Sequence, residues 1–280
     1  MLLSSVIAAV TAAACPIFPP SFAINQRVTG LPVTANSDRI VASMGLDTGI
    51  HPDFGTRYGI PFDRVSRRTP RSKVTFDYAD ESDRVRYPIP AGVHIEGGSD
   101  RHALLLDRGA CRLYELFALE RRGSGWHAGS GATWNLRSKK LRPKGWTSAD
   151  AAGLPIYPLL ARYGEVKRGR IKHALRVTVS ETRRGYVYPA RHAASDSDDP
   201  ALPRMGERLR LKASFDISGL PRQARIVARA MQQYGLIVAD NGSDWYVTGA
   251  PDRRWNDDAL HALGEVPGRA FEVVDARSLR

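Results

Sequence analysis

Apolar and polar residues alternate along much of this chain in short runs bounded by Gly, Pro, Ser or Asn. Alternation with period two marks a strand with one buried face. It predicts strands over 74–78, 102–107, 112–118 and 132–136, and the segment Arg108-Gly-Ala-Cys111 makes the second and third a hairpin. Further strands are predicted over 171–179, 185–190 and 208–216; in the last, Arg208, Arg210 and Lys212 alternate with Leu209, Leu211 and Ala213, giving a basic face and a packing face. The period changes to helical over 222–234, which starts after Pro221, stops at Gly235 and gathers Ala224, Ile226, Val227, Ala230 and Met231 on one side. A shorter helix is predicted over 257–263, and Thr147-Ser-Ala-Asp150 offers an N-cap for a turn or two before Gly153 and Pro155. The runs 236–240 and 244–247 flank Asn241-Gly242 and read as a hairpin with a type I′ turn, and a strand over 271–274 closes the chain. Residues 24–72, rich in Pro, Gly, Asp and Thr, predict an extended arm wrapped around a domain spanning 73–280. The expected fold is mainly β with a few inserted helices, a β-sandwich or jelly-roll in a single domain.

Residues 1–23 carry no charge, and their apolar, Ala-rich stretch ends at Pro16, Pro19 and Pro20. This reads as a secretory signal peptide cleaved after Ser21-Phe22-Ala23, although the positive n-region is missing. Lipoprotein anchoring at Cys15 competes less well, because Ala12 stands where a branched apolar residue is usual. If Cys15 leaves with the signal, Cys111 is alone and no intramolecular disulfide forms. Beyond residue 23 no apolar run approaches the roughly 18 residues of a membrane span.

The 280 residues hold 41 Lys and Arg against 29 Asp and Glu, a net charge of +12. Of the basic residues 34 are Arg and 7 are Lys, which fits either a GC-rich genome or a polyanionic partner gripped by planar guanidinium groups. Nucleic acid is not expected, since no binding motif is present and the basic residues are scattered among acids.

Asp100 and His102, two apart at a strand entrance, are expected to share a face, the carboxylate setting the imidazole tautomer. His173 with Arg176, and Arg191 with His192, place proton-transfer groups beside cations on neighbouring strands, with Tyr186 and Tyr188 close in sequence. A uronate lyase needs such a set: a cation for the carboxylate and a base for the C5 proton. Glu115 is the alternative acid; it shares a strand face with Leu113 and Phe117, so its carboxylate needs a partner or a cleft. Arg210 and Trp134 complete the expected substrate-binding set, the latter as a sugar-stacking platform. No cofactor is expected and no metal site is assigned, although Asp100, His102 and His173 are the set a metal-dependent enzyme would use.

The segments Ser99-Asp-Arg-His102, Trp146-Thr-Ser-Ala-Asp-Ala-Ala-Gly-Leu-Pro155 and His173-Ala-Leu-Arg176, in this order, resemble a family of secreted bacterial β-rich proteins. The resemblance spans nearly the whole chain after the signal. It implies secretion and one β-rich domain, and it carries no activity over. Together these readings lead to the expectation of a secreted carbohydrate-active enzyme that cleaves an extracellular polysaccharide, acidic by the arginine argument, by hydrolysis or β-elimination. The alternative is a non-catalytic protein that binds glycan or cell wall.

Overall fold

The computed structural model describes residues 15–279. The stretch 2–14, read above as the core of a signal, lies outside the described residues. In chain order the strands are β1 (His51–Asp53), β2 (Phe62–Arg64), β3 (Arg71–Ser72), β4 (Val74–Phe76), β5 (Tyr87–Pro88), β6 (Ala103–Asp107), β7 (Arg112–Phe117), β8 (Glu120–Arg122), β9 (Gly125–Ala128) and β10 (Ser130–Asn135). They continue with β11 (Leu175–Val179), β12 (Arg208–Leu211), β13 (Leu236–Asn241), β14 (Tyr246–Thr248) and β15 (Phe271–Val274). The helices are α1 (Ser37–Ser43), α2 (Tyr163–Lys167), α3 (Arg222–Gln233) and α4 (Asp257–His261). Strand residues outnumber helical ones, 26% to 18%, and no barrel closes, so the chain is β-rich with inserted helices.

The principal sheet has the order β1-β14-β11-β13-β12-β15, and a second sheet has the order β10-β7-β6-β2. β6 and β7 form the expected hairpin, with Asp107 opposite Arg112. Two smaller sheets pair β3 with β5, and β4 with β9 and β8. The sequence over 24–72 is not merely a wrapping arm. It supplies α1 and the parallel edge strands of both large sheets, β1 against β14 and β2 against β6.

The turn at Asn241-Gly242 does not make a hairpin. β11 lies between β13 and β14, parallel to the first and antiparallel to the second. The cause is burial: Leu175, Arg176, Val177 and Val179 are all inaccessible, so β11 needs a neighbour on each side and cover on each face. Thr178 Oγ1 donates to the Ser243 carbonyl at 2.6 Å, which ties the connection across the inserted strand. Residues 185–190 form no strand beyond an isolated bridge of Tyr186 to Met205, and 147–152 form turns rather than a helix.

α3 forms where its periodicity predicts and packs Ala224, Val227, Ala230 and Met231 into the main core. It stops at Gly235, whose φ of 73° and contact with the Leu209 carbonyl oxygen leave no room for a Cβ.

The N-terminal residues are part of this core. Cys15 is disulfide-bonded to Cys111 across 96 residues, and Phe18, Phe22 and Ile24 are buried. A boundary after Ala23 therefore cuts packed chain, and the expectation of a lone Cys111 is corrected: its sulfur and that of Cys15 are joined.

Candidate active site

Arg176 organises the largest buried ion cluster of the principal sheet. On β11, Arg176 pairs across to Ile237 and Val177 to Val238, but Thr178 pairs to Asp240, leaving Ala239 as an extra residue in β13. Without that bulge Asp240 would point to the face opposite Ile237; with it, Asp240 joins the face of Arg176. Four of the five guanidinium N–H groups are then engaged. Nη2 donates to Asp240 at 2.7 Å and to Asp150 at 3.1 Å, Nε donates to Asp150 at 3.2 Å, and Nη1 donates to Thr248 Oγ1 on β14 at 2.9 Å.

Asp150 sits on an irregular turn fixed by Ser148, whose hydroxyl accepts from the Asp150 amide at 2.9 Å and donates to the Leu154 carbonyl at 2.5 Å. Its carboxylate is wholly buried, whereas that of Asp240 keeps 23% of its surface. Burial raises both carboxyls; Arg176 opposes the rise, and Asp240 comes to rest at about 6. Across β14, Asp53 pairs with Thr248, and burial together with the charge of Glu96 raises its carboxyl too. Asp53, Glu96, Asp150 and Asp240 thus share one arginine and one histidine. Burial is the main reason the carboxyls of Asp53, Asp150 and Asp240 hold their protons more tightly than usual, with neighbouring acid charge adding to it at Asp53 and Asp240.

The histidine is His102. Its Nδ1 lies 2.5 Å from Glu96 Oε2 and its Nε2 lies 2.9 Å from the Ala149 carbonyl, so both ring nitrogens face acceptors. Burial disfavours the charged ring, but the hydrogen bond and charge of Glu96 outweigh it and raise the pKa. With an acceptor at each nitrogen, the ring gains its second proton more readily than a free imidazole. Asp100 is not its partner: Arg101 has φ 46°, which breaks the alternation, and Asp100 is exposed with only Ser99 Oγ donating to it.

Asp150 and Asp240 line a cavity of about 320 Å³ together with Glu81, His192, Tyr78 and Phe117. His192 lines the same cavity, with Nδ1 donating to the Ala151 carbonyl at 2.8 Å. Of the residues expected to act together, only His192 and the Arg176 cluster meet here.

The others are dispersed. His173 is buried with Nδ1 at 2.7 Å from the Ala174 carbonyl and Nε2 facing Arg162 and Glu165. Burial works against the Glu165 charge, yet Arg162 and His173 hold that carboxyl down at about 2. Arg210 pairs with Glu272 and donates to the carbonyls of Val28 and Leu31, while Arg208 donates to those of Tyr234 and Ala23. The predicted basic face is thus a clamp on the N-terminal segment rather than a substrate groove. Arg191 donates to the Arg142 carbonyl. Tyr188 packs against the small cluster of Ala23, Val28, Val274 and Leu279. Trp134 is buried and donates to Glu115 at 2.9 Å, so it presents no open platform at that edge. Glu115 has the partners its position demands: the amides of Ile156 and Tyr157 also donate to it, and burial still raises it to about 7.

Sequence reasoning missed Glu96, Asp150 and Asp240 as site residues. Asp150 carries a signal, being polar within Ser-Ala-Asp-Ala-Ala, but its sequence context reads as a helix N-cap; Asp240 reads as the last residue of a strand ahead of a turn. Among the described residues no group of three or more His, Cys, Asp or Glu is placed to hold a metal ion, and no helix is long and apolar enough to cross a membrane. Comparison with protein-family models, curated proteins and solved structures finds no match.

Proposed function

We propose that this protein is a secreted carbohydrate-active hydrolase that cleaves a glycan in the Asp240 cavity. The observation that carries the reading is a partly exposed carboxyl, Asp240, raised to about 6 and fixed by Arg176 in a concave site that also holds His192 and Glu81. A carboxyl raised to about 6 keeps its proton in mildly acidic solution, where it can serve as general acid toward a leaving glycosidic oxygen. His192, which lines the cavity and is held through Nδ1, is the group assigned to take a proton from water, and Tyr78, 57% exposed and also lining the cavity, offers a ring face to a sugar. Hydrolysis is favoured over β-elimination because Arg176 and Arg210 are already paired with carboxylates and their side chains are largely buried, so neither is placed to neutralise a uronate. Secretion is supported by the Cys15–Cys111 disulfide, which persists in oxidising compartments, and by the resemblance in segments noted above.

The test is incubation of the purified chain with neutral and uronic polysaccharides, following reducing ends and the ultraviolet absorbance of unsaturated uronides together. Reducing ends without absorbance, lost in Asp240→Asn, are expected. Both signals together would replace hydrolysis by elimination, and silence across the panel would leave a non-catalytic glycan binder.

A further inference from the structure

A second, larger cavity of about 610 Å³ opens beside the first, lined by Arg112, Lys140, Arg142, Trp134, Trp146 and Asp83 among others. Its floor is fixed. Arg142 is buried, with Nε donating to the Thr147 carbonyl at 2.6 Å, Nη2 to the Glu81 carbonyl at 2.6 Å and Nη1 to Asp83 at 3.0 Å. Its guanidinium carbon also lies 5.3 Å from the ring centre of Trp146 and 6.0 Å from that of Trp134. Asp83, the only carboxylate lining this cavity, is taken up by Arg142 and by the amide and hydroxyl of Thr133.

The rim is different. The other lining cations, Arg112 and Lys140, are exposed, as are Arg137, Lys139 and Lys144, which neighbour the lining residues in sequence; among the described residues no ion pair engages these side chains. In a chain with only 7 lysines, three fall within 139–144, so genome-level preference for arginine does not explain this loop. Charge here is uncompensated and gathered around a concavity that also holds a half-buried tryptophan, Trp146.

We propose that this cavity is a binding cleft for an acidic polysaccharide, with Arg112 and Lys140 contacting sugar carboxylates and Trp146 packing on a sugar ring. The proposal deepens the hydrolase reading by naming a substrate class. Trp146 lines this cleft and its neighbour Thr147 lines the Asp240 cavity, so one segment borders both. A polymer rather than a single anion is indicated, because the cations are spread from β7 to the 137–144 loop instead of converging on one point. Arg142 already lies over both tryptophan rings, which leaves no slot between them for an intercalated nucleic-acid base.

The experiment is calorimetric titration of the full chain with a polygalacturonate oligomer, a neutral glucan oligomer of equal length and a single-stranded oligonucleotide, each at low and high salt. Polygalacturonate is expected to bind in preference to both, and to weaken at high salt. Arg112→Ala with Lys140→Ala, both exposed, should weaken it by roughly tenfold or more. Equal binding of neutral glucan, tighter binding of the oligonucleotide, or full binding by the double variant would overturn the proposal. Polygalacturonate binding with no cleavage of any polymer would keep this cleft and overturn the hydrolase; cleavage of neutral glycans alone would do the reverse.

Discussion

The Asp240 carboxylate lies 2.7 Å from Nη2 of Arg176, the same nitrogen that serves Asp150. Burial and the nearby Asp150 charge raise its pKa while the arginine restrains it at about 6. A general acid must be protonated, so hydrolysis is expected to decline as pH rises through about 6. Asp240→Asn should lower the rate by about 10²–10⁴-fold with the fold unchanged, measured as reducing ends released across a pH series.

Removing the cation has a different consequence. Arg176→Met strands Asp150, whose carboxylate is wholly enclosed, and loss of one partner from a buried pair costs about 3–5 kcal/mol. The loss should shrink in acid, because the abandoned carboxyls then protonate. Urea denaturation at pH 7 and pH 4 reads both effects; an equal loss at the two values would remove the electrostatic explanation.

Glu115 makes the pH dependence of stability testable at one residue. Its native pKa of about 7 stands above the ordinary 4.5, so the folded state binds this proton more tightly than the unfolded chain. The stability due to that proton is complete below about 4.5 and is lost as pH rises to about 7. Glu115→Gln places an amide nitrogen against one of three N–H donors and should cost about 1–3 kcal/mol at pH 5. The difference from wild type should narrow by pH 8, as followed by urea midpoints.

The Cys15–Cys111 bond closes a loop of 96 residues between Cα atoms 5.5 Å apart. Replacing both cysteines by alanine should lower stability by about 2–5 kcal/mol, and reductant should have no further effect on that variant. A chain truncated before Ile24 would lose Phe18 and Phe22 as well, so it is expected to unfold at lower denaturant than the double variant.

The legible part of the fold was local. The β6–β7 hairpin, β10, α3 and the β15 strand follow from period and punctuation within a dozen residues. The false hairpin at Asn241-Gly242 shows the limit: its turn chemistry is sound, but the burial demand of β11 comes from 60 residues upstream and wins. The site was less legible for the same reason. His102 was singled out by its neighbour Asp100, whereas its partner Glu96 reaches it across a bent loop with Arg101 in a left-handed conformation. Glu115 was read correctly as a strand carboxylate in need of a partner, because alternation alone fixes its face.

Ala239, the extra residue in β13, separates two properties that substitution experiments would confuse. The carboxylate reaches Arg176 through strand length, not through the identity of residue 240 alone. A strand with regular pairing would carry Asp240 on the wrong side of the sheet, where no point replacement at that position could recruit it. The cluster therefore depends on the extra residue, and a one-residue deletion in β13 would restore a straighter ladder while dismantling the acid.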